Sequence, residues 1–326
     1  MNASTAGRGP FTAQNHRSPS PPGAARRVRR GTPLRLVAVR LAFLIGGWLR
    51  PDKTLARAAE LFCTPFRSSR ERARTTPLEG AVERALVVDG LSIMTYVWGD
   101  PERQPYVLFA HGWSSHGTRF RRWVAPLREA GYAVVAFDQA GHGKSGGRLT
   151  TLPDFACHLH AVGHRFGPAA MVVGHSLGGA ATAVALAGGL QAERALLIAP
   201  AADPVAAMER FSRFVWLGAH WGARLAALFE RNTRVPMDAL QAHRVAPSLT
   251  QPALIVHDLE DREVPWSEGE RYARLWRDAR MITTRGLGHD RIADAPEIVA
   301  DAMRFLRRDV VGERIVSSPN LPFGIA

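Results

Sequence analysis

The sequence predicts an α/β protein with a mostly parallel central sheet, helices on both of its faces and one helical insertion. Three observations carry this. From about residue 81 short apolar runs alternate with longer helical stretches, the order that βαβ units produce when both faces of a sheet are buried. The pentapeptide Gly174-His175-Ser176-Leu177-Gly178 joins the apolar run 169–173 to the small-residue run 179–185, a strand, tight turn and helix of the kind that holds a reactive serine above a sheet edge. At 326 residues, with 46% apolar and 22% charged content, the chain has the make-up of a globular protein able to bury a sizeable core.

Taken in order, residues 1–32 are rich in Ser, Pro, Gly and Arg and nearly free of apolar side chains. They cannot offset the entropy of ordering, so a disordered basic leader is expected, part of which an upstream start site would explain. Residues 33–80 read as an N-terminal helical segment. Within it, 34–49 is strongly apolar and preceded by Arg26, Arg27, Arg29 and Arg30, so it imitates a signal peptide or membrane anchor. Arg35 and Arg40 leave only 41–49 unbroken, far short of the ~20 residues a span needs. A helix docked on the domain is the expectation, and a basic helix lying on an anionic membrane is the alternative.

A second helix is expected over 55–64, stopped by Pro65. Asp89-Gly90 turns 85–88 into 91–97 as a hairpin. Strands over 106–110, 132–137, 169–173, 195–198, 253–256 and 281–284 then alternate with helices over 120–129, 152–166, 176–190, 266–275 and 296–306. The core is thus 81–200 and 252–310, and 311–326 is a C-terminal tail. In such sheets ligands lie at the carboxyl ends of the strands, where Ser176 falls. Residues 201–251 break the alternation: they are helical in pattern, too long for one crossover and rich in aromatics, which predicts a lid. Trp216 and Trp221, together with His175 beside the serine, are the candidate substrate contacts.

The formal charge of +13 suggests nucleic acid until it is located. Residues 1–80 hold 15 Arg or Lys against 4 Asp or Glu, leaving the remainder at only +2, so no nucleic-acid partner is expected. A weak membrane-surface contact through the N-terminal segment is the one macromolecular contact anticipated. Cys63 and Cys157 cannot build a disulfide framework; both are expected to be buried, in a cytoplasmic protein or one peripheral on the inner face of the membrane.

A serine hydroxyl needs a base, and the base an orienting carboxylate. His289, in Gly286-Leu287-Gly288-His289 beyond the last strand, is the candidate base. Asp258, Glu260 and Asp261 are the acids available after the preceding strand. The Leu177 amide, at a helix N-terminus, is aimed where an oxyanion would form. Other signals fail. Gly141, Gly143 and Gly146 have dinucleotide-loop spacing, but 149–153 intervenes before the helix. Asp138 occupies the first glycine position of a phosphate loop ending Gly143-Lys144-Ser145. His160 and His164 lack the intervening Glu of a metalloprotease helix. No cofactor and no metal are expected.

Together these motifs give the chain a resemblance to the α/β-hydrolases, close to bacterial monoglyceride-lipase-like and esterase-like serine hydrolases. It runs from about 81 to 308 and rests on His111-Gly112-Trp113, on 137–145, on the pentapeptide and on the acid and histidine loops. The resemblance implies a Ser176, Asp261 and His289 triad. It gives Trp113 the second oxyanion amide and makes Asp138, His142 and Ser145 loop-shaping residues. Asp258 stands where such proteins often have Gly, which keeps it in competition with Asp261. The implied activity is hydrolysis of a carboxylic ester or thioester of a small, hydrophobic acyl substrate through an acyl-enzyme. Acyl transfer and a non-catalytic binding role are the alternatives, and a serine at the elbow argues against dehalogenase or epoxide-hydrolase chemistry.

Overall fold

The computed structural model describes residues 34–316; the leader over 1–32 and most of the tail lie outside them. The chain enters through α1 (Leu34–Leu49), α2 (Pro51–Phe62) and α3 (Ser68–Thr75). Asp89 and Gly90, at φ 47° and 76°, close a two-residue hairpin between β1 (Val82–Val88) and β2 (Leu91–Trp98), the turn geometry that matches strand twist. Strands and helices then alternate as β3 (Tyr106–Ala110), α4 (Arg121–Glu129), β4 (Ala133–Phe137), α5 (Leu152–Phe166), β5 (Met171–His175), α6 (Leu177–Ala187) and β6 (Ala195–Ile198). After α7 (Pro204–Phe214), α8 (His220–Thr233) and α9 (Ala242–Val245) come β7 (Ala253–Asp258), α10 (Trp266–Leu275), β8 (Ala279–Thr284), α11 (Gly288–Arg291) and α12 (Pro296–Leu306).

All eight strands join one sheet in the order β1-β2-β4-β3-β5-β6-β7-β8. Only the pairs β1 with β2 and β2 with β4 are antiparallel. Strand periodicity divides the core between two faces. Tyr106, Leu108 and Ala110 pack with Phe155 and Leu159 of α5, while Val107 and Phe109 pack with Trp123 of α4 and Ile298 of α12. The chain leaves β3 for β4 on one side and reaches β5 on the other, so the loops after β3 and β5 diverge and open a crevice at their carboxyl ends.

Several elements differ from expectation. The strand expected over 169–173 lies two residues later, because Ala169 makes only an isolated bridge to Ala192. Helix α3 was not anticipated: its sequence is mostly Ser and Arg and shows no apolar periodicity. Cys63 is buried, with burial pushing its thiol up to about 12; Cys157, contrary to expectation, is exposed on α5 and lies 3.5 Å from Asp89. The insertion over 201–251 is helical, but it packs on the N-terminal helices. Phe62 of α2 meets Phe211 and Phe229 edge-on at 5.2 and 6.0 Å. Among the described residues no helix is long and apolar enough to cross a membrane.

Candidate active site

Strand β5 delivers the chain into a turn where Ser176 takes φ 56° and ψ −121°. A side chain at positive φ costs on the order of 1–2 kcal/mol, so its surroundings must over-determine it. They do so by close approach of backbones. A Cβ at Gly174 would run into the Gly178 carbonyl, and one at Gly178 into the Ala110 carbonyl. A Cβ at Gly112 would lie 2.8 Å from that of Ser176. The glycines are therefore needed because three chain segments meet here.

The Leu177 amide is the first of α6, and Trp113 follows β3. Neither amide donates to an acceptor among the described residues. The Trp113 loop is clamped from below and from the side. His142 Nε2 accepts from the Ser114 amide at 3.0 Å, and Arg72 of α3 donates to the Ser114 carbonyl at 2.6 Å. Asp138 accepts from the Gly117 and Lys144 amides and the Tyr96 hydroxyl, all at 2.7 Å, while the Ser145 hydroxyl donates to the Asp138 carbonyl. These contacts set loop shape and leave Asp138 and Ser145 no reach into the cleft.

His289 sits in the first turn of α11, and its Nδ1 donates to Asp261 Oδ2 at 2.7 Å. In the neutral ring that bond selects the tautomer with a bare Nε2, and Nε2 has no partner among the described residues. The Asp261 side chain is fully buried. Burial alone would raise its carboxyl, but His257, His289 and the Val264 amide together hold it well below the usual carboxylate range. Asp258 does other work: it accepts from the Thr284 hydroxyl at 2.7 Å and the Leu287 amide at 3.0 Å, fixing the start of the histidine loop. Of the two carboxylates that competed, Asp261 is the one against His289.

Sequence reasoning missed two supports of this pair. His257, buried on β7, lies 3.4 Å from Asp261 Oδ2 and donates to the Val264 carbonyl. Arg119 donates to His175 Nδ1 at 2.8 Å and to the Asp290 carbonyl at 3.1 Å. Because arginine only donates, His175 is held as the Nε2–H tautomer, and that hydrogen bonds the His289 carbonyl at 2.9 Å. Burial first, then the Arg119 charge, keeps His175 well below its ordinary value and so uncharged. Fifty-six positions separate Arg119 from His175, and no motif marks the arginine.

Ser176, His175, Trp113 and His289 line one cleft of about 1170 Å³. The Ser176 hydroxyl has no hydrogen-bond partner among the described residues, so it faces the cleft free. Trp216 and Trp221, expected as substrate contacts, do not line it, nor does any residue of 201–251. Trp221 is buried against Gly47 of α1 instead. The outer wall comes from Phe66, Arg72 and 75–77, just ahead of the sheet. Arg119, Arg121, Arg122 and Arg291 line the cleft together with Glu263, Asp290, Asp294 and Glu297, and Arg119 lies 3.9 Å from Asp290 and 3.7 Å from Asp294. Among the described residues no cluster of His, Cys, Asp or Glu is placed to hold a metal ion.

Comparison with known proteins agrees with this architecture. The model of the alpha/beta hydrolase family matches residues 107–302. A monoacylglycerol lipase of Mycolicibacterium smegmatis is 34% identical over 101 residues, 28% of this chain and 36% of that protein. The match thus spans about a third of the relative's length. Among solved structures, a bacterial membrane phospholipase A superposes with TM-score 0.56 at 20% identity, over 84% of this chain and 97% of that one. An esterase from Rhodococcus does so with TM-score 0.51 at 18% identity, over 70% and 98%. With strand order, serine elbow and family match in agreement, the chain belongs to the alpha/beta hydrolase family.

Proposed function

We propose that the protein hydrolyses carboxylic esters, thioesters included, through an acyl-enzyme formed on Ser176. The observation that carries this reading is a serine on a strained elbow in the same cleft as an imidazole whose Nδ1 is committed to a buried carboxylate. Ser176 Oγ attacks the carbonyl carbon while His289 Nε2 takes its proton. The Trp113 and Leu177 amides receive the oxyanion. As the tetrahedral adduct collapses, His289 returns the proton to the departing alcohol or thiol; a water, deprotonated by the same nitrogen, then releases the acid and restores the serine. Asp261 keeps the imidazole in its tautomer and stabilises the imidazolium.

The rim supports a particular kind of ester. Phe66, Trp113 and Leu287 give the cleft limited apolar ground, and five arginines and four carboxylates line it with them. A short acyl chain on a polar leaving group suits that lining better than a long one. The test pairs covalent labelling by a fluorophosphonate with turnover of p-nitrophenyl esters of increasing acyl length. Labelling of the native protein and none of Ser176→Ala is expected, with kcat/KM falling beyond short chains. Equal labelling of both proteins would refute the nucleophile.

A further inference from the structure

Apart from Arg35 and Arg40, helix α1 is apolar, yet protein covers only one of its sides. On the inner side Phe43 is buried and Gly47 lies against Leu217 and Trp221. Arg40 donates to the Phe214 carbonyl at 2.8 Å with its guanidinium 4.7 Å from the Phe214 ring. On the outer side Leu34, Ala38, Leu41, Ile45 and Trp48 recur at spacings that put them in one stripe along the helix. All five are exposed, Leu34 at 87% and Trp48 at 84%. Leu44, Leu49, Phe214 and Trp216 add exposed apolar surface beside it. Monomeric proteins seldom leave a continuous stripe of this kind to water.

The charges around the stripe point to what covers it. Residues 1–33 carry six arginines and no acidic residue, four of them in Arg26-Arg27-Val28-Arg29-Arg30 just ahead of Leu34. Arg50 and Lys53 follow at the other end, where Asp52 between them lies 3.5 Å from Arg224, and α1 itself contains no Asp or Glu. A symmetric pairing of two copies through this stripe, parallel or antiparallel, would bring a basic end against a basic end. An anionic surface has the complementary charge. At 16 residues the helix is only about 24 Å long, too short to span a bilayer of about 30 Å, and its inner side is committed to protein.

We propose that α1 docks the protein on an anionic lipid bilayer, lying in the membrane plane. Its outer stripe sinks among the acyl chains, and the arginines before it, with Arg50 and Lys53 after it, meet the lipid phosphates. The inference rests on the helix and its charges and is independent of the hydrolytic reading. It is tested by sedimenting the full chain with vesicles of phosphatidylcholine alone and of phosphatidylcholine with phosphatidylglycerol, at low and high salt. The native protein is expected to partition on the order of tenfold more strongly onto the anionic vesicles and to release as salt screens the phosphates. Leu41→Asp, Ile45→Asp and Trp48→Asp together should lose that binding by about tenfold or more at either salt, with an unchanged thermal unfolding curve. Trp48→Ser alone, the milder variant, should lose binding several-fold. Replacing Arg26, Arg27, Arg29 and Arg30 by Gln should remove most of the salt dependence and leave the apolar part. A native protein that stays in the supernatant at low salt would overturn the proposal. So would a triple variant that binds like the native chain, or a dimer by light scattering that the same variant dissolves.

Discussion

Helices α6 and α1 are both apolar nearly all the way round, and they end in opposite surroundings. Of the eleven residues of α6 eight are buried, whereas α1 buries only Phe43 of its sixteen. Side-chain size makes the difference. Seven of the eleven residues of α6 are Gly or Ala, which lets it come close enough that Gly178 touches the Ala110 carbonyl and Gly179 lies against Pro200. Helix α1 carries Leu, Ile and Trp outward, where nothing in the described chain receives them. Close packing thus fixes the N-terminus of α6, and with it the Leu177 amide, to a precision that a helix held on one side cannot reach.

The sharpest way to break this contrast is to change the residue on which α6 begins. Ser176→Ala removes the proposed nucleophile and should lower kcat on esters by three orders of magnitude or more, about 4 kcal/mol in transition-state terms. Ser176→Gly should be equally inactive, but glycine tolerates φ 56° and relieves strain worth about 1 kcal/mol. Chemical unfolding should therefore find the Gly variant more stable than the Ala variant. If the two unfold together, the elbow stores no strain.

Acid should strike the sheet-end loops and spare the N-terminal helices. Burial pushes His111 and His142 down to about 3, and in each ring Nε2 accepts a backbone amide, that of Gln139 or Ser114. Protonation would set donor against donor. The folded value lies below the unfolded value of about 6.5, so the unfolded chain binds protons that the native one refuses. Stability is whole above pH ~6.5 and falls as pH drops toward about 3, by roughly 1.4 kcal/mol per pH unit for each histidine. Residues 34–75 contain no histidine. Hydrogen exchange at falling pH should open the loops around Trp113 and Gln139 first; α1 opening first would contradict the assignment.

Arg119 tests how far that precision depends on a contact no motif announces. Arg119→Ala frees the His175 tautomer and releases the Asp290 and His289 backbone. A kcat loss of about 10- to 100-fold with little change in KM is expected if the group orients the proposed base rather than the substrate. Arg119→Lys should restore only part of it, because an ammonium lacks the planar fork that reaches two acceptors. A loss confined to KM would make Arg119 a binding residue instead.

What the sequence disclosed follows the same division. The places of Ser176, His289 and the acid-loop carboxylates in the fold were legible because each lies past a strand whose apolar run marks it, and the Asp89-Gly90 turn names its own geometry. The choice of Asp261 over Asp258 needed coordinates, since both lie within one short loop. Helix α3 and the cleft wall over 75–77 were illegible because they are polar and are held by long-range bonds, such as those from Arg70 to the Ser145 and Gly147 carbonyls. Trp216 and Trp221 misled for the converse reason. Aromatic periodicity says that a helix packs, and does not say on what.

The smallest effect expected is also the one that best separates the two helices. Leu41 stands on the outer stripe of α1 and is 43% exposed, so Leu41→Ser removes little burial and should change unfolding free energy in dilute buffer by no more than about 0.5 kcal/mol. An Ala at that position would be nearly silent as well, since it keeps the helix and loses only surface contact. The same experiment on the inner side differs: Phe43 is buried, and Phe43→Ala should cost about 3 kcal/mol or more if its pocket cannot collapse. Equilibrium denaturation of the two variants in one buffer measures the ratio directly. A Leu41→Ser cost approaching that of Phe43→Ala would mean that the outer stripe is covered in solution by the chain itself, which would put α1 in the same class as α6.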